Sequence, residues 1–236
     1  MEENTPFAWP RPFTSALRKR ELILVLLYLP LHLFVLQLGF GILAEKELLS
    51  LPMADLLYYL TGFLYMIIAA FGFLRRDFDA LIDAPLLCIR EALRGYLLML
   101  GCNLLVALVF RLFPEMDNPN NAAIMETAGL DMNAVKAAVI FLAPVVEEML
   151  FRAGIFGLLR RKSRWAAYLV SALCFALYHV AAYALLDPLN WLFLLQYIPA
   201  SLLLARCYER TNSIWGSIFM HMLINGVAFS ALSAIG

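Results

Sequence analysis

The chain has 236 residues, of which 63% are hydrophobic and 15% are charged, whereas a soluble domain is about half apolar and about one quarter charged. A soluble domain of this length has too little interior for so many apolar side chains, so most of them must face a lipid bilayer. The 18 basic and 18 acidic residues cancel, and a zero net charge gives no indication of a nucleic-acid partner. The sequence therefore predicts an integral membrane protein.

Seven apolar runs have about the length that an α-helix needs to cross a ~30 Å hydrocarbon core. The first begins directly after a basic cluster and is too long for a signal peptide. Short strands of alternating polarity are absent, so we predict an all-α, polytopic transmembrane helical bundle of about seven spans. The spans are predicted at 21–44, 54–74, 96–113, 135–159, 165–186, 191–208 and 213–235, with 78–93 along the interface and 114–133 as an exposed loop.

Basic residues indicate the orientation, because Lys and Arg accumulate in cytoplasmic loops. With seven alternating spans, 14 of the 18 fall on the side of the N-terminus. We therefore predict a cytoplasmic N-terminal tail at 1–20, a single transmembrane bundle at 21–236 and a C-terminus outside. The 14 are Arg11, Arg18, Lys19, Arg20, Arg75, Arg76, Arg90, Arg94, Arg160, Arg161, Lys162, Arg164, Arg206 and Arg210.

Ionisable side chains inside a bilayer cost ~2.5 to 3.5 kcal/mol each on insertion scales, so they need a partner or a function. Glu148 and Arg152 are four residues apart and can form an ion pair. Glu147 is rotated by about 100° from Glu148 and must find its partner on another helix. His221 and Asn225 are again four apart and share a face of the last span.

The remaining polar positions lie at comparable depth. Counted at 1.5 Å per residue from the predicted cytoplasmic ends, Glu147 lies ~18 Å deep, His179 ~21 Å and His221 ~12 Å, so the three can share a site in mid-membrane. Phe175 is placed to stack on His179. Pro144, three residues before Glu147, predicts a kink beside this site.

The residues alone leave three interpretations open: a catalytic site, a structural polar network, and a proton relay in a transporter. A single membrane histidine such as His32, which follows Pro30, is interpreted as a hydrogen-bonded structural residue without a catalytic role.

The spacing of the polar residues resembles a known family. The motifs E-E-x-x-x-R, F-x-x-x-H and H-x-x-x-N, on successive predicted helices, resemble the CPBP family of intramembrane proteases, which includes CAAX proteases and bacteriocin-processing, Abi-like proteins. The resemblance covers about 135–228, which we expect to be a protease-like core. It implies catalytic roles for Glu147, His179, His221 and Asn225, with Glu148, Arg152 and Phe175 supporting them.

On this resemblance, Glu147 is the general base for a water held with His179, and His221 and Asn225 stabilise the oxyanion. Glu147, His179 and His221 are also an alternative ligand set for zinc. The motifs are not H-E-x-x-H and Asn is a poor zinc ligand, so a metal-independent glutamic mechanism that requires no cofactor is favoured.

The resemblance implies an intramembrane endopeptidase of the bacterial plasma membrane. Its partners would be membrane lipids and a membrane-associated peptide or protein, either prenylated and CAAX-like or bacteriocin-like, and no nucleic acid. The alternatives are a noncatalytic immunity or scaffold membrane protein and a proton-coupled transporter that uses the same polar cluster.

Overall fold

A computed structural model describes residues 12–113 and 116–234. Residues 1–11 of the predicted tail, and the predicted end of the last span at 235, lie outside these described residues. In the described ranges the chain forms nine helices and no strand. The predicted all-α bundle is confirmed.

The helices are numbered here in chain order. The sixth is a continuous helix at 132–160 that changes its hydrogen-bonding register several times. The other bounds are α1 Lys19–Glu45, α2 Leu51–Ala69, α3 Phe71–Asp83, α4 Pro85–Phe110, α5 Pro119–Leu130, α7 Arg164–Leu186, α8 Pro188–Thr211 and α9 Ile214–Ser233.

Six of these helices, namely α1, α2, α4, α7, α8 and α9, are long and apolar enough to cross a membrane. They overlap six of the seven predicted spans, although α4 begins 11 residues before the span predicted at 96–113 and α2 ends five residues before the predicted end at 74. The remaining predicted span, 135–159, lies in α6. Two π-helical stretches, Ala137–Leu142 and Glu148–Phe156, interrupt α6, so none of its α-helical segments reaches spanning length. Every residue from Ala143 to Gly154 is buried, so α6 is the central helix of the bundle.

Close packing against α6 explains one glycine of α2. A Cβ atom on Gly62 would lie 3.0 Å from Val146 Cγ2 and 2.8 Å from the Tyr28 hydroxyl oxygen, which is closer than side chains tolerate. The glycine therefore allows α1, α2 and α6 to meet directly beside Glu147.

One local prediction needs correction, and one predicted segment is divided. The predicted loop at 114–133 contains α5, whose first turn is capped by the Asn118 side chain accepting from the backbone N–H groups of Asn120 and Asn121. The predicted interfacial segment at 78–93 belongs to two helices, because the backbone leaves the helical conformation at Ala84, directly before Pro85.

Four basic segments predicted to lie in the cytoplasm meet at one end of the bundle, called the basic end below. Side chains of each segment contact another of the four, which agrees with strict alternation of the spans. The contacts pair Arg76 with Glu21, Arg161 with the Leu17 carbonyl, Arg160 with Glu209 and Arg210 with Glu91.

Candidate active site

Glu147 lies at the centre of the buried polar cluster. It ends the short α-helical segment Ala143–Glu147 of α6 and is only 3% exposed. Its Oε2 atom lies 3.7 Å from Nε2 of His179 on α7 and 3.8 Å from Nε2 of His221 on α9. Within the described part of the chain, no donor hydrogen-bonds to this oxygen. The predicted convergence of three helices on one point is therefore present.

Glu148 lies about 100° around α6 from Glu147 and contacts the other nitrogen of the same His221 ring. Its Oε1 lies 3.1 Å from Nη1 of Arg152 and accepts from Nδ1 of His221 at 2.8 Å. Both charged side chains are fully buried. The predicted ion pair is present, and it also holds His221.

Both histidines turn Nε2 toward Glu147 because Nδ1 is used as a donor elsewhere. His179 Nδ1 donates to the Phe175 carbonyl at 2.9 Å, and His221 Nδ1 donates to Glu148. In the neutral form each ring then presents an unprotonated Nε2 to the Glu147 carboxylate. The site thus brings together three acceptor atoms, Oε2 of Glu147 and Nε2 of each histidine, and offers few donors.

Phe175 organises the rings around the site. Its centroid lies 4.5 Å from that of His179 and 5.8 Å from that of His221, and the Arg152 guanidinium lies 4.3 Å above its face. The guanidinium therefore gains a cation–π contact besides its carboxylate partner. The prediction that Phe175 stacks on His179 is correct, and the ring also links both histidines to Arg152.

Asn225 has a different partner. Its Nδ2 donates to the backbone carbonyl of Val139 at 2.9 Å. In this π-helical stretch each N–H donates to the carbonyl five residues earlier, as Ala143 does to Ala138. Pro144 has no N–H to continue this pattern to Val139, so the asparagine supplies the missing donor. A widened helical turn, closed by Asn225, lies where the sequence predicted a kink.

Zinc binding requires the three converging atoms to move. Two ligands of a tetrahedral zinc ion lie about 3.4 Å apart when each bond is about 2.1 Å, whereas the Glu147 oxygen lies 3.7 and 3.8 Å from the two nitrogens. Among the residues that the structure describes, no group of three or more His, Cys, Asp and Glu has the arrangement of a metal site.

Two residues of α8 also belong to the site and were not predicted from the sequence. Tyr197 stacks on His179 with centroids 4.6 Å apart and planes inclined by 19°. Ser201 accepts from Arg152 Nη2, through Oγ at 3.0 Å and through its carbonyl at 3.3 Å. The two polar residues are four apart in an apolar span, and this is the signal that could have revealed them.

His32 lies outside this cluster. It is fully buried, its Nε2 is 2.9 Å from the Tyr58 hydroxyl, and the two rings stack with centroids 4.4 Å apart. These contacts agree with a hydrogen-bonded structural histidine.

One comparison with known proteins matches the segment that carries the site. Residues 132–227, which contain α6 to most of α9, match the family model described as type II CAAX prenyl endopeptidase Rce1-like. No curated protein and no solved structure matches the chain.

Proposed function

We propose that this integral membrane protein, whose residues 132–227 form an Rce1-like domain of the CAAX protease type, hydrolyses a peptide bond with Glu147 as general base. The observation that carries the proposal is the buried Oε2 atom of Glu147, which faces two histidine nitrogens and has no donor among the described residues. A carboxylate in such surroundings is a strong base, because few groups stabilise its charge.

The geometry suits a water molecule held between Glu147 and His179. Two acceptors 3.7 Å apart can each take one hydrogen of the same water, which leaves an oxygen lone pair for attack on a carbonyl carbon. One water proton passes to Glu147 as the carbon–oxygen bond forms. The same proton then passes to the leaving nitrogen as the carbon–nitrogen bond breaks.

The negative charge on the carbonyl oxygen needs donors, and His221 and Asn225 are proposed to supply them. His221 is a donor when its Nε2 carries a proton, and Glu148, 2.8 Å from Nδ1, holds its ring in place. Asn225 uses one N–H for Val139 and retains the other. Arg152 neutralises Glu148 and fixes its position.

A metal-independent mechanism follows from this assignment, with zinc on Glu147, His179 and His221 as the alternative. Treatment with 1,10-phenanthroline separates the two. The proposal expects full activity after treatment, whereas loss of activity that added zinc restores would assign the chemistry to a metal.

The proposed substrate is a peptide anchored in the membrane, either prenylated and CAAX-like or bacteriocin-like. A site built from helices α6, α7 and α9, which carry Glu147, His179 and His221, is reached most directly by a peptide that a lipid or an apolar segment already holds at the bilayer. Anchoring raises the local concentration of the scissile bond, which lowers the entropic cost of binding.

Comparative peptidomics tests the proposal. Membranes from cells with the wild-type protein are compared with those carrying Glu147→Gln, and Glu126→Gln on exposed α5 is the matched control. We expect a peptide that is cleaved by wild type and control and accumulates uncleaved with Glu147→Gln. Identical peptide profiles would reject proteolysis. If Glu147→Gln still protects a bacteriocin-sensitive strain, a noncatalytic immunity or scaffold protein would be favoured.

A further inference from the structure

A cavity of about 490 Å³ opens at the basic end, between segments that are far from Glu147 in the sequence. It lies between the first turns of α1 and the junction of α2 with α3. Its lining consists of Arg18, Arg20, Glu21, Leu24, Tyr65, Ile68, Ala69, Phe71 and Gly72. None of these residues contributes to the candidate active site.

One wall of the cavity is apolar and exposed at the surface of the bundle. Ile68 is 80% exposed and Phe71 is 61% exposed, so both present large apolar surfaces outward in a protein whose surroundings are lipid. Tyr65 donates to the Leu24 carbonyl at 3.0 Å and thereby joins α2 to α1 along the inner wall. The cavity is a groove at the surface of the bundle, with an apolar wall along the helices.

The opposite side of the cavity carries positive charge. Glu21 is neutralised by Arg76, whose Nη2 lies 3.0 Å from Oε2, and accepts from the Arg18 backbone N–H at 2.7 Å. Gly72 permits this pair, because a Cβ there would lie 2.9 Å from the Glu21 carboxylate. Three guanidinium groups, those of Arg18, Arg20 and Arg76, therefore lie around the single Glu21 carboxylate, and the Arg18 charge also acts on it. This side of the cavity carries two positive charges in excess, which attract an anion.

We propose that this cavity binds the headgroup of an anionic phospholipid. Arg18 and Arg20 hold the phosphate, since guanidinium groups match phosphate oxygens in charge and hydrogen-bond geometry. The acyl chains lie along Leu24, Ile68 and Phe71. Basic pockets between spanning helices at the membrane surface bind anionic headgroups by this combination of charge and apolar contact.

Lipid titration of the purified full-length protein in a neutral detergent tests the site. Native mass spectrometry measures binding of phosphatidylglycerol and, separately, of phosphatidylcholine. We expect phosphatidylglycerol to bind preferentially, and the double variant Arg18→Gln/Arg20→Gln to lose about 30-fold in affinity for it, which is about fivefold for each charge removed.

The matched control is Lys19→Gln/Arg75→Gln, which removes two exposed charges from the same end without touching the lining. This control should keep its affinity, and Arg18→Lys/Arg20→Lys, which retains both charges, should keep most of it even if the glutamine variant fails to fold. Equal losses in control and glutamine variant would show a diffuse charge effect and overturn the proposal. Displacement of the lipid by millimolar inorganic phosphate would assign the cavity to a free anion and overturn it too.

Discussion

Glu148 and Arg152 combine two functions in one buried pair. Their 3.1 Å ion pair is fully shielded from solvent, and each partner has a further contact: Glu148 holds His221, and Arg152 contacts Ser201 and Phe175. A buried ion pair gives little net stability over apolar residues, but removing one partner leaves the other charge uncompensated. The pair is therefore expected to be costly to break and to position His221.

Replacement of Arg152 by Met measures this cost. We expect Arg152→Met to destabilise the folded protein by about 3 to 5 kcal/mol, because Glu148 would remain buried without its cation. Thermal unfolding in detergent is the measurement, and Arg75→Met at an exposed position of α3 is the control. Equal melting temperatures for the two variants would contradict the structural role of the pair.

At the scale of helices, α6 could be predicted only in part. Its location follows from the length of the apolar run, and the shared face of Glu148 and Arg152 follows from their spacing of four residues. The π-helical stretches could not be predicted. A helix that is buried on all sides is apolar on all sides, so its hydrophobic pattern has no periodicity that would show a wider turn. The contact of Asn225 with Val139 depends on that wider turn, so it could not be predicted either.

Helix α5 was not predicted from the sequence, for a different reason. Its sequence from Pro119 to Leu130 is rich in Asn and small residues and lacks an apolar stripe, and such a composition resembles that of a loop. The capping residue Asn118 before Pro119 was the available signal for a helix start. The six long spans were predictable because length and hydropathy alone define them.

The wide turn of α6 makes a prediction about Asn225 and Pro144. Asn225→Ala removes the donor to the partly buried Val139 carbonyl and is expected to lower stability by about 1 kcal/mol, the usual net contribution of a hydrogen bond. Pro144→Ala restores a backbone N–H in α6. Adding it to Asn225→Ala should therefore recover part of the lost stability.

Thermal unfolding of the four proteins in this cycle gives the coupling between the two positions. Strictly additive effects would show that Pro144 is not the reason for the asparagine contact. If stability recovers while peptide cleavage does not, Asn225 has the additional role of stabilising the oxyanion.

Over the whole molecule, Asp77 of α3 joins the segments of the basic end. It accepts from the Ser15 hydroxyl at 2.6 Å and from the backbone N–H of Ile214, the first residue of α9, and the Ser15 hydroxyl also contacts Tyr208 of α8. Burial raises the pKa of Asp77 to about 6, although the hydrogen bonds from Ser15 and Ile214 and the charge of Arg76 lower it.

This raised pKa predicts a dependence of stability on pH. Because the folded protein holds the Asp77 proton up to about pH 6 and the unfolded chain releases it near 3.8, stability should fall as the pH rises from about 4 to about 6. The full loss corresponds to about 3 kcal/mol. In Asp77→Asn this part of the pH dependence should vanish, and in the exposed control Asp79→Asn it should persist, as measured by melting in detergent. A difference between wild type and Asp77→Asn that stays constant from pH 4 to 7 would contradict it.

The role of Glu147 as the base of an intramembrane peptidase can be tested by the cleavage rate of a prenylated peptide with a C-terminal CAAX sequence in proteoliposomes. Mass spectrometry of the products compares wild type, Glu147→Gln and Glu126→Gln. We expect cleavage by wild type and Glu126→Gln at equal rates, and a rate lower by a factor of about 10² to 10⁴ for Glu147→Gln, the usual contribution of a general base. Cleavage by Glu147→Gln at the wild-type rate would contradict it.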